Sequence, residues 1–445
     1  MFKTFVDAFR VKEIRQRLLY TFICLVVVRL GCLIVAPGVN QAYVESYFSQ
    51  AVNMGFFDAL TGGSLSQMSI FALNISPYIT SSIIMELLTI AIPKLEEIAK
   101  DGEEGRKVIT KYTRYVTVAL AVLESAALAI GFGNRGLLTG GATFTNVVVM
   151  VVSMTAGTAF LVWLGEQITD KGEGNGISMI LLFNIVSSLP VSLTNLYKQF
   201  VGGAKNVALG IIAAIIILAI ILAMIIFVVI LQGAERKIPV QYAKKVQGRR
   251  LIGGQNSNIP MKVNTAGVIP VIFASSLFSF PIVIASFAGV SAASGEGATF
   301  GQKILKVLST NAWFNFSSWG DFKYTIGCVL YIVMIIFFAY FYTSVTFNPL
   351  EIANNMKKQG GFIPGIRPGK PTVDYLTKVL NNVIFIGAIA LTIVAIVPFI
   401  FSGAFGADVS IGGTSLIIVV GVVLETLKQI ESQMLVRHYK GFLND

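Results

Sequence analysis

The stretch VALGIIAAIIILAIILAMIIFVVILQ, residues 207–232, contains no charged side chain. As an α-helix it is long enough to cross the hydrocarbon core of a bilayer, which is about 30 Å thick and requires about 20 apolar residues. Similar apolar runs recur along the chain. We therefore predict ten membrane spans, at residues 18–37, 68–92, 115–132, 147–165, 177–197, 207–232, 266–290, 324–347, 379–402 and 411–430.

The composition of the 445-residue chain agrees with these spans. It is 55% hydrophobic and 13% charged, whereas about 25% of the residues in a soluble domain are charged. The predicted fold class is an all-α polytopic membrane protein, and we expect no removable signal peptide. Residues 1–17 carry Phe2, Phe5 and Phe9 among basic residues, which predicts an amphipathic segment on the membrane surface. A frayed terminus is the alternative.

The Lys and Arg residues between the spans are distributed unequally. Loops on one side of the membrane hold 26 of the 34, and loops on the other side hold 6. Because cytoplasmic loops are enriched in Lys and Arg, both termini, including the tail 431–445, are predicted to be cytoplasmic. The external loop 198–206 divides the chain into halves 18–197 and 207–430 with five spans each. The halves then enter the membrane in opposite senses, as inverted repeats do, with 198–206 as a hinge beside a central pathway.

Two long cytoplasmic loops, 233–265 and 348–378, carry much of the positive charge. The first contains ERKIPVQYAKKVQGRR (235–250) and the second contains NNMKKQGGFIPGIRPGKPT (354–372). Membrane topology alone accounts for the charge, but loops of this length are usually functional or disordered. Ordered basic loops could dock an acidic protein or a nucleic-acid backbone.

The sequence contains no catalytic or cofactor-binding motif. The sole histidine, His438, excludes Ser–His–Asp and Cys–His sets, and the three cysteines lack metal-ligand spacing. GEGNG at 172–176 lacks the Lys of a phosphate-binding loop. We therefore predict that the protein is not an enzyme, that it needs no cofactor, and that a partner supplies the energy for any work it performs.

Four ionisable residues are predicted inside spans: Arg29, Glu86, Glu124 and Glu425. An intramembrane charge is a candidate for ion coupling. Because these four are scattered, one to a span, structural roles are favoured, such as an ion pair between Arg29 and a carboxylate.

The segment TGGSLSQMSIFALNISPYI (61–79) is too polar in its first half to span a membrane. Backbone that does not span is tolerated at membrane depth where it lines a water-filled cavity. We therefore interpret residues 55–73 as re-entrant, with Gly62 and Gly63 giving a loose connection. Pro77 then lies near the N-terminal end of the true spanning helix, where its missing N–H costs little.

Seven motifs spread over nearly the whole chain together resemble the SecY/Sec61-alpha family of protein-conducting channels. They are RLGCLIVAPG (29–38), SIFALNISPYITSSIIMELL (69–88), WLGEQITDKGEGNGISMI (163–180), IPVQYAKKVQGRR (238–250), KVNTAGVIPVIFASS (262–276), PGIRPGKPT (364–372) and GGTSLIIVV (412–420). Three residues depart from the family pattern. Asn74 stands where Gly is common, Glu86 where Gln is common, and Glu173 where an apolar residue is usual.

The resemblance implies a ten-helix channel with two inverted halves around a central pore. Such a channel passes unfolded secretory polypeptides across the bacterial cytoplasmic membrane and releases transmembrane segments sideways into lipid. A narrow hydrophobic constriction blocks ions because it excludes water. The implied pore ring consists of Ile75, Ile79, Leu181, Ile185, Ile272 and Ile418. The first two and the next two have i, i+4 spacing and so share a helix face, but ordinary packing is the alternative for all six.

The resemblance also implies a plug and a lateral gate. The plug is segment 55–73, centred on Leu60, Thr61, Gly62, Gly63, Ser64, Leu65, Ser66 and Gln67. The gate lies between the second and seventh spans, where small polar residues can hold a seam together in lipid. The candidates are Thr80, Ser81, Ser82, Ser275 and Ser276. Hydrogen bonds from these hydroxyls back within their own helices are the alternative.

The partners implied by the resemblance are SecE- and SecG-type small membrane subunits, the SecA ATPase, the ribosome, signal peptides, nascent polypeptides and membrane lipids. SecA or the ribosomal RNA backbone would contact Lys244, Lys245, Arg249, Arg250 and Arg367. Two rival functions remain. A secondary transporter of small solutes shares the inverted repeat but places convergent charges at its midplane. A scaffold or insertase subunit needs no aliphatic ring beside a plug.

Overall fold

The computed structural model describes residues 9–44, 61–133, 136, 138–141, 143–202, 207–242, 245–247, 250–252, 256–287, 299–314, 323–405 and 413–441. Its α-helices are α1 Lys12–Cys32, α2 Ser76–Ala91, α3 Pro93–Lys100, α4 Gly102–Phe132, α5 Phe144–Lys171, α6 Gly176–Leu196, α7 Val207–Gly233, α8 Ile269–Phe287, α9 Phe300–Leu308, α10 Ile326–Thr346, α11 Pro349–Lys358, α12 Lys370–Phe405 and α13 Gly413–Gly441. A π-helical segment, Tyr197–Gly202, extends α6.

Ten helices overlap the ten predicted spans: α1, α2, α4, α5, α6, α7, α8, α10, α12 and α13. Within the described ranges, seven helices are long and apolar enough to cross a membrane on their own. The pair α2 and α3 adds an eighth if it is counted as one span, although the two axes differ by 103°. The prediction of an all-α polytopic membrane fold is confirmed, and the count of ten spans is consistent with the structure.

The helices form two halves of five. In the first half, α4 packs against α2 and α5, and α1 packs against α5 and α6. In the second half, α10 packs against α8 and α12, and α7 packs against α13. The halves meet where α6 contacts α13 and where α4 contacts α8. A pathway between the halves is therefore bounded by helices from both.

The two long basic loops form strands, which the sequence reading did not predict. The strands are β1 Glu235–Tyr242, β2 Lys245–Gln247, β3 Arg250–Ile252, β4 Asn256–Lys262 and β5 Gly361–Phe362. β1 is the centre of an antiparallel sheet with β4 on one side and β5 on the other, while β2 and β3 form a separate hairpin. Because β5 comes from the second loop, the sheet joins both loops into one unit.

The inner face of this sheet explains its stability. Ile238 and Val240 alternate with exposed residues along β1 and are buried. They pack in one cluster with Met261 of β4 and Met356 of α11. An apolar residue at every second position is the sequence signal of a half-buried strand, so the IPV stretch of β1 carried information that the loop assignment overlooked.

The spanning part of the second predicted span is shorter than 68–92. α2 begins at Ser76 and has Pro77 in its first turn, which confirms the expected place of this proline. Residues 61–75 adopt turns apart from an isolated bridge and a single helical residue. Asn74, where the family commonly has Gly, has a φ of 51°. Asn accepts this left-handed conformation more readily than most residues, so the departure preserves the backbone geometry.

Candidate channel and its closing segment

The six aliphatic residues predicted to form a pore ring meet in one hydrophobic cluster: Ile75, Ile79, Leu181, Ile185, Ile272 and Ile418. They come from the start of α2 and from α6, α8 and α13, which are two helices of each half. Ile79 and Ile272 are half-buried, and the other four are buried. Branched aliphatic side chains offer no hydrogen bonds to ions or to a passing chain, so such a cluster can act as a constriction.

Residues 61–75, which we call the closing segment, lie directly before α2 and are anchored to the end of α1. The Ile70 N–H donates to the carbonyl oxygen of Ile34, and the Ala36 N–H donates to that of Met68, both at 2.9 Å. At Gly31 of α1, an added Cβ would lie 1.9 Å from the ring of Phe71. The closing segment therefore packs against α1 so closely that any side chain at position 31 would force the Phe71 ring to move.

Polar contacts inside the closing segment hold its turns. The fully buried Ser64 has its Oγ 2.9 Å from the carbonyl oxygens of both Thr61 and Phe71. The Ser66 Oγ donates to the carbonyl oxygen of Gly63 at 3.0 Å. Residues 55–60 of the predicted plug, including Leu60, lie outside the described residues. The described part of the predicted plug is thus an ordered structure beside the aliphatic cluster.

Arg29 binds the closing segment instead of a carboxylate. Its Nη1 donates to the carbonyl oxygen of Gly62 at 2.6 Å, and no ion pair among the described residues involves it. The expected pairing of Arg29 with an acidic side chain is not seen among the described residues and stays a prediction. A guanidinium can donate to any exposed backbone carbonyl oxygen. The sequence alone does not reveal which carbonyl lies within its reach.

Asn184 of α6 also lies close to Gly62. A Cβ added to Gly62 would lie 3.1 Å from the Cα and Cβ of Asn184. The Asn184 side chain is fully buried, and neither atom of its amide has a hydrogen-bond partner within the part of the chain that the structure describes. The sequence reading missed this residue, although an amide inside an apolar span was a visible signal.

The hydroxyls assigned to the lateral gate bond elsewhere. The Ser81 Oγ of α2 lies 2.5 Å from the Thr117 Oγ1 of α4, and the Ser275 Oγ of α8 lies 2.8 Å from the Tyr331 Oη of α10. These bonds tie α2 to α4 and α8 to α10, so the expectation that Ser81 and Ser275 hold α2 to α8 is not met. Each hydroxyl binds the nearest polar group, which the tightly packed neighbouring helix supplies. The other gate candidates, Thr80, Ser82 and Ser276, are half-buried.

The three remaining ionisable residues predicted inside spans lie on three different helices. Glu86 of α2 and Glu124 of α4 are half-buried, and Glu425 of α13 is exposed. No group of three or more His, Cys, Asp or Glu side chains that could hold a metal ion occurs among the residues described.

The basic loops present Arg367 to solvent on a fixed turn. Its carbonyl oxygen accepts a hydrogen bond from the Thr372 Oγ1 at 2.9 Å, and the Arg367 residue is exposed. Gly365 and Gly369 on either side have φ values of 82° and 107°, which favour glycine. The side chains of Lys245 and Arg250, on the β2–β3 hairpin, lie outside the described residues, as do Lys244 and Arg249 altogether.

Glu173 is a buried carboxylate in the turn between α5 and α6. Its Oε1 accepts a hydrogen bond from the Gln433 Nε2 of α13 at 2.8 Å, and its backbone N–H donates to the Thr21 Oγ1 of α1 at 3.0 Å. Burial raises the pKa of the Glu173 carboxyl, and the nearby Arg17 partly opposes this rise. One residue thus links the first helix, a loop of the first half and the last helix.

Comparison with known proteins agrees with this architecture. The model of the SecY family matches residues 69–427. Across the whole of both chains, the protein is 43% identical to the protein translocase subunit SecY of Halalkalibacterium halodurans, 44% identical to that of Streptomyces lividans and 42% identical to that of Bacillus subtilis.

Two solved structures share the fold. One is described as a protein-conducting channel, with a TM-score of 0.63, and the other as Sec61 in the canine ribosome-channel complex from the endoplasmic reticulum, with a TM-score of 0.62. Each is 20% identical to this chain, and each alignment covers 95% of this chain and 94% of the other. Because the SecY family model matches residues 69–427 and bacterial SecY proteins are 42–44% identical over its full length, the chain belongs to the SecY family.

Proposed function

We propose that this protein is a protein-conducting channel that moves unfolded secretory polypeptides across the bacterial cytoplasmic membrane. The observation that supports the proposal is the meeting of six aliphatic side chains from four helices, two helices from each half, in the cluster that also contains Phe71 of the closing segment. An aliphatic constriction tolerates any substrate side chain while excluding water and ions. The bacterial relatives named protein translocase subunit SecY support the same function.

In this proposal residues 55–73 are a plug, and residues 61–73 of the closing segment are its described part. This part is mostly buried, it contacts α1 and α6, and it precedes Ile75 of the aliphatic cluster by two residues. A segment made of turns, with no spanning helix of its own, can leave its site without unfolding a helix. Movement of the plug away from the cluster would open the path for a polypeptide.

The lateral gate is placed between α2 on one side and α8 on the other. The hydrogen bonds of Ser81 and Ser275 point away from this seam and reinforce each side separately. Weak bonding across the seam suits a gate that must separate towards lipid. Transmembrane segments of nascent polypeptides would leave the channel there.

The relatives are named as translocase subunits, and the sequence of this chain shows no nucleotide-binding motif. In this proposal, partner proteins therefore supply the energy for translocation. We propose SecE- and SecG-type membrane subunits beside it, and SecA or a translating ribosome on the basic side. The exposed Arg367, together with Lys244, Lys245, Arg249 and Arg250, would contact these partners, on the ribosome through RNA phosphates. Signal peptides and membrane lipids are the remaining partners, and both termini would face the cytoplasm.

The test is reconstitution of the purified chain with its SecE-type subunit in proteoliposomes. After addition of SecA, ATP and a secretory precursor, protection of the precursor from external protease reports translocation. We expect protection that requires both SecA and ATP. Transport of a small solute without SecA, and no protected precursor, would instead support the secondary transporter.

A further inference from the structure

A groove between α2, α8 and α10 carries one acidic side chain in apolar surroundings. It is lined by Ile83, Glu86, Leu87, Ile90, Phe273, Phe341 and Tyr342. Apart from the Glu86 carboxylate and the Tyr342 hydroxyl, every side chain of this lining is aliphatic or aromatic. The Glu86 carboxylate and the Tyr342 hydroxyl are thus the two polar side-chain groups that line the same groove.

The groove lies at one defined end of the three helices. Glu86 is five residues before the end of α2, Tyr342 is four residues before the end of α10, and Phe273 is four residues after the start of α8. The chain leaves α10 for the basic loop 348–378 and enters α8 from the basic loop 233–265. The groove is therefore at the end of the lateral seam that faces the basic loops.

Within the part of the chain that the structure describes, Glu86 pairs with no basic side chain. No ion pair or hydrogen bond of its side chain to another described residue is present. A carboxylate among apolar side chains at membrane depth is costly unless a cation or a hydrogen-bond donor compensates its charge. A hydrophobic segment with a cationic side chain at one end would satisfy both features of this groove, the apolar walls and the single carboxylate.

We propose that Glu86 selects, for the lateral gate, hydrophobic polypeptide segments that carry a Lys or Arg at the end nearest the basic loops. This inference rests on the proposed channel function. The apolar part of the segment packs against Phe273, Leu87 and Phe341, and its cation lies beside the Glu86 carboxylate. Because positive residues flanking a membrane segment stay on the cytoplasmic side, the pairing also favours one orientation of the segment. Glu86 acts here as a specificity-determining residue, not as part of the pore.

The experiment compares two secretory precursors in proteoliposomes containing the channel, its SecE-type subunit, SecA and ATP. The precursors are identical except that two Lys or two Gln residues precede the apolar segment. We expect the wild-type channel to translocate the Lys precursor faster and the E86Q channel to lose this advantage. The loss is about three- to tenfold in the initial rate for the Lys precursor, with little change for the Gln precursor. E86Q introduces the residue that is common in the family at this position, so a folded channel is expected.

Two variants serve as controls. E86D keeps the charge and should keep the preference for Lys, whereas E97Q removes an exposed carboxylate on α3 and should leave both rates unchanged. A photoreactive residue at Leu87 reports contact independently of transport and should capture the Lys precursor more often in wild type than in E86Q.

An unchanged Lys-to-Gln ratio in E86Q, or an equal loss for both precursors, would overturn the selection by Glu86. Capture of lipid alone at Leu87 would overturn it as well. If the wild-type channel protects neither precursor, the proposed channel function itself fails, so the two failures are distinguishable.

Discussion

Arg29 of α1 donates a hydrogen bond from Nη1 to the carbonyl oxygen of Gly62, over a distance of 2.6 Å. The bond joins the first spanning helix to the closing segment. A hydrogen bond from a charged group contributes about 1.5–3 kcal/mol. It holds the closing segment through a backbone carbonyl and so needs no side chain at position 62, where a Cβ would lie 3.1 Å from Asn184.

Replacement of Arg29 should make the channel leak ions. In R29Q the charge-assisted bond to Gly62 is lost, and the fraction of channels with a displaced closing segment should rise by about tenfold. Chloride or potassium flux from proteoliposomes measures this fraction. R15Q is the matched control because Arg15 is an exposed residue on the same helix. Equal flux in R29Q and wild type would show that the bond does not hold the channel closed.

The two neighbouring glycines of the closing segment should differ in their tolerance of alanine. Gly62 and Gly63 have φ values of 66° and 84°, so each substitution costs about 1–2 kcal/mol of backbone strain. A Cβ at Gly62 also meets Asn184 at 3.1 Å, whereas a Cβ at Gly63 meets nothing within 4 Å. We therefore expect a larger ion flux from G62A than from G63A. Equal fluxes would mean that the contact with Asn184 is unimportant.

The aliphatic cluster contains both predicted pore residues and ordinary packing residues. Ile185 and Ile180 are both buried on α6 and belong to the same cluster. Each change to alanine should lower the stability by about 2–5 kcal/mol. Only I185A should also increase ion flux, because it widens the constriction. If I180A leaks as much as I185A, the six residues are packing and not a ring.

Arg367 is expected to contact the partner that drives translocation. R367E reverses the charge of an exposed side chain on a fixed turn, so it should abolish SecA-dependent protection of a precursor. Membrane insertion of the channel itself should remain intact. K358E is the control because Lys358 is also exposed, in the same basic loop. Normal secretion by R367E would remove Arg367 from the partner surface.

The sequence predicted the helical membrane fold well because its signal is local. Apolar runs and the count of Lys and Arg need no knowledge of distant contacts, and Pro77 marked the start of α2 correctly. The sheet was missed because the basic and polar residues of β1 mask its two buried apolar positions, and because its pairing with β5 joins residues more than 100 positions apart. The hydrogen bond from Arg29 to Gly62 was missed for a similar reason. Every residue has a backbone carbonyl, so the residue type does not show which one accepts the bond.

The candidate site was predictable only in part. The six aliphatic residues could be grouped by their resemblance to a family, and they do cluster. Asn184 and the contacts of Glu173 depend on how loops and helices from distant parts of the chain pack. Ser81 and Ser275 show the limit of residue type as evidence, because a hydroxyl can bond to any adjacent helix.

Glu173 should make the stability of the protein depend on pH. Its pKa is raised by burial, so the folded state holds a proton at pH values where the unfolded state has already lost it. The free energy of unfolding should therefore fall as the pH rises from about 4.5 through the raised pKa of Glu173. In E173Q this contribution should vanish, and the melting temperature at pH 7–8 should rise by about 1–3 °C.

The assay for this effect of Glu173 is reaction of the buried thiols of Cys24, Cys32 and Cys328 with a fluorescent thiol reagent on heating. D170N, which removes an exposed carboxylate at the end of α5, should leave the pH dependence unchanged. A melting curve of E173Q with the wild-type pH dependence would mean that Glu173 is ionised at no cost in the folded protein.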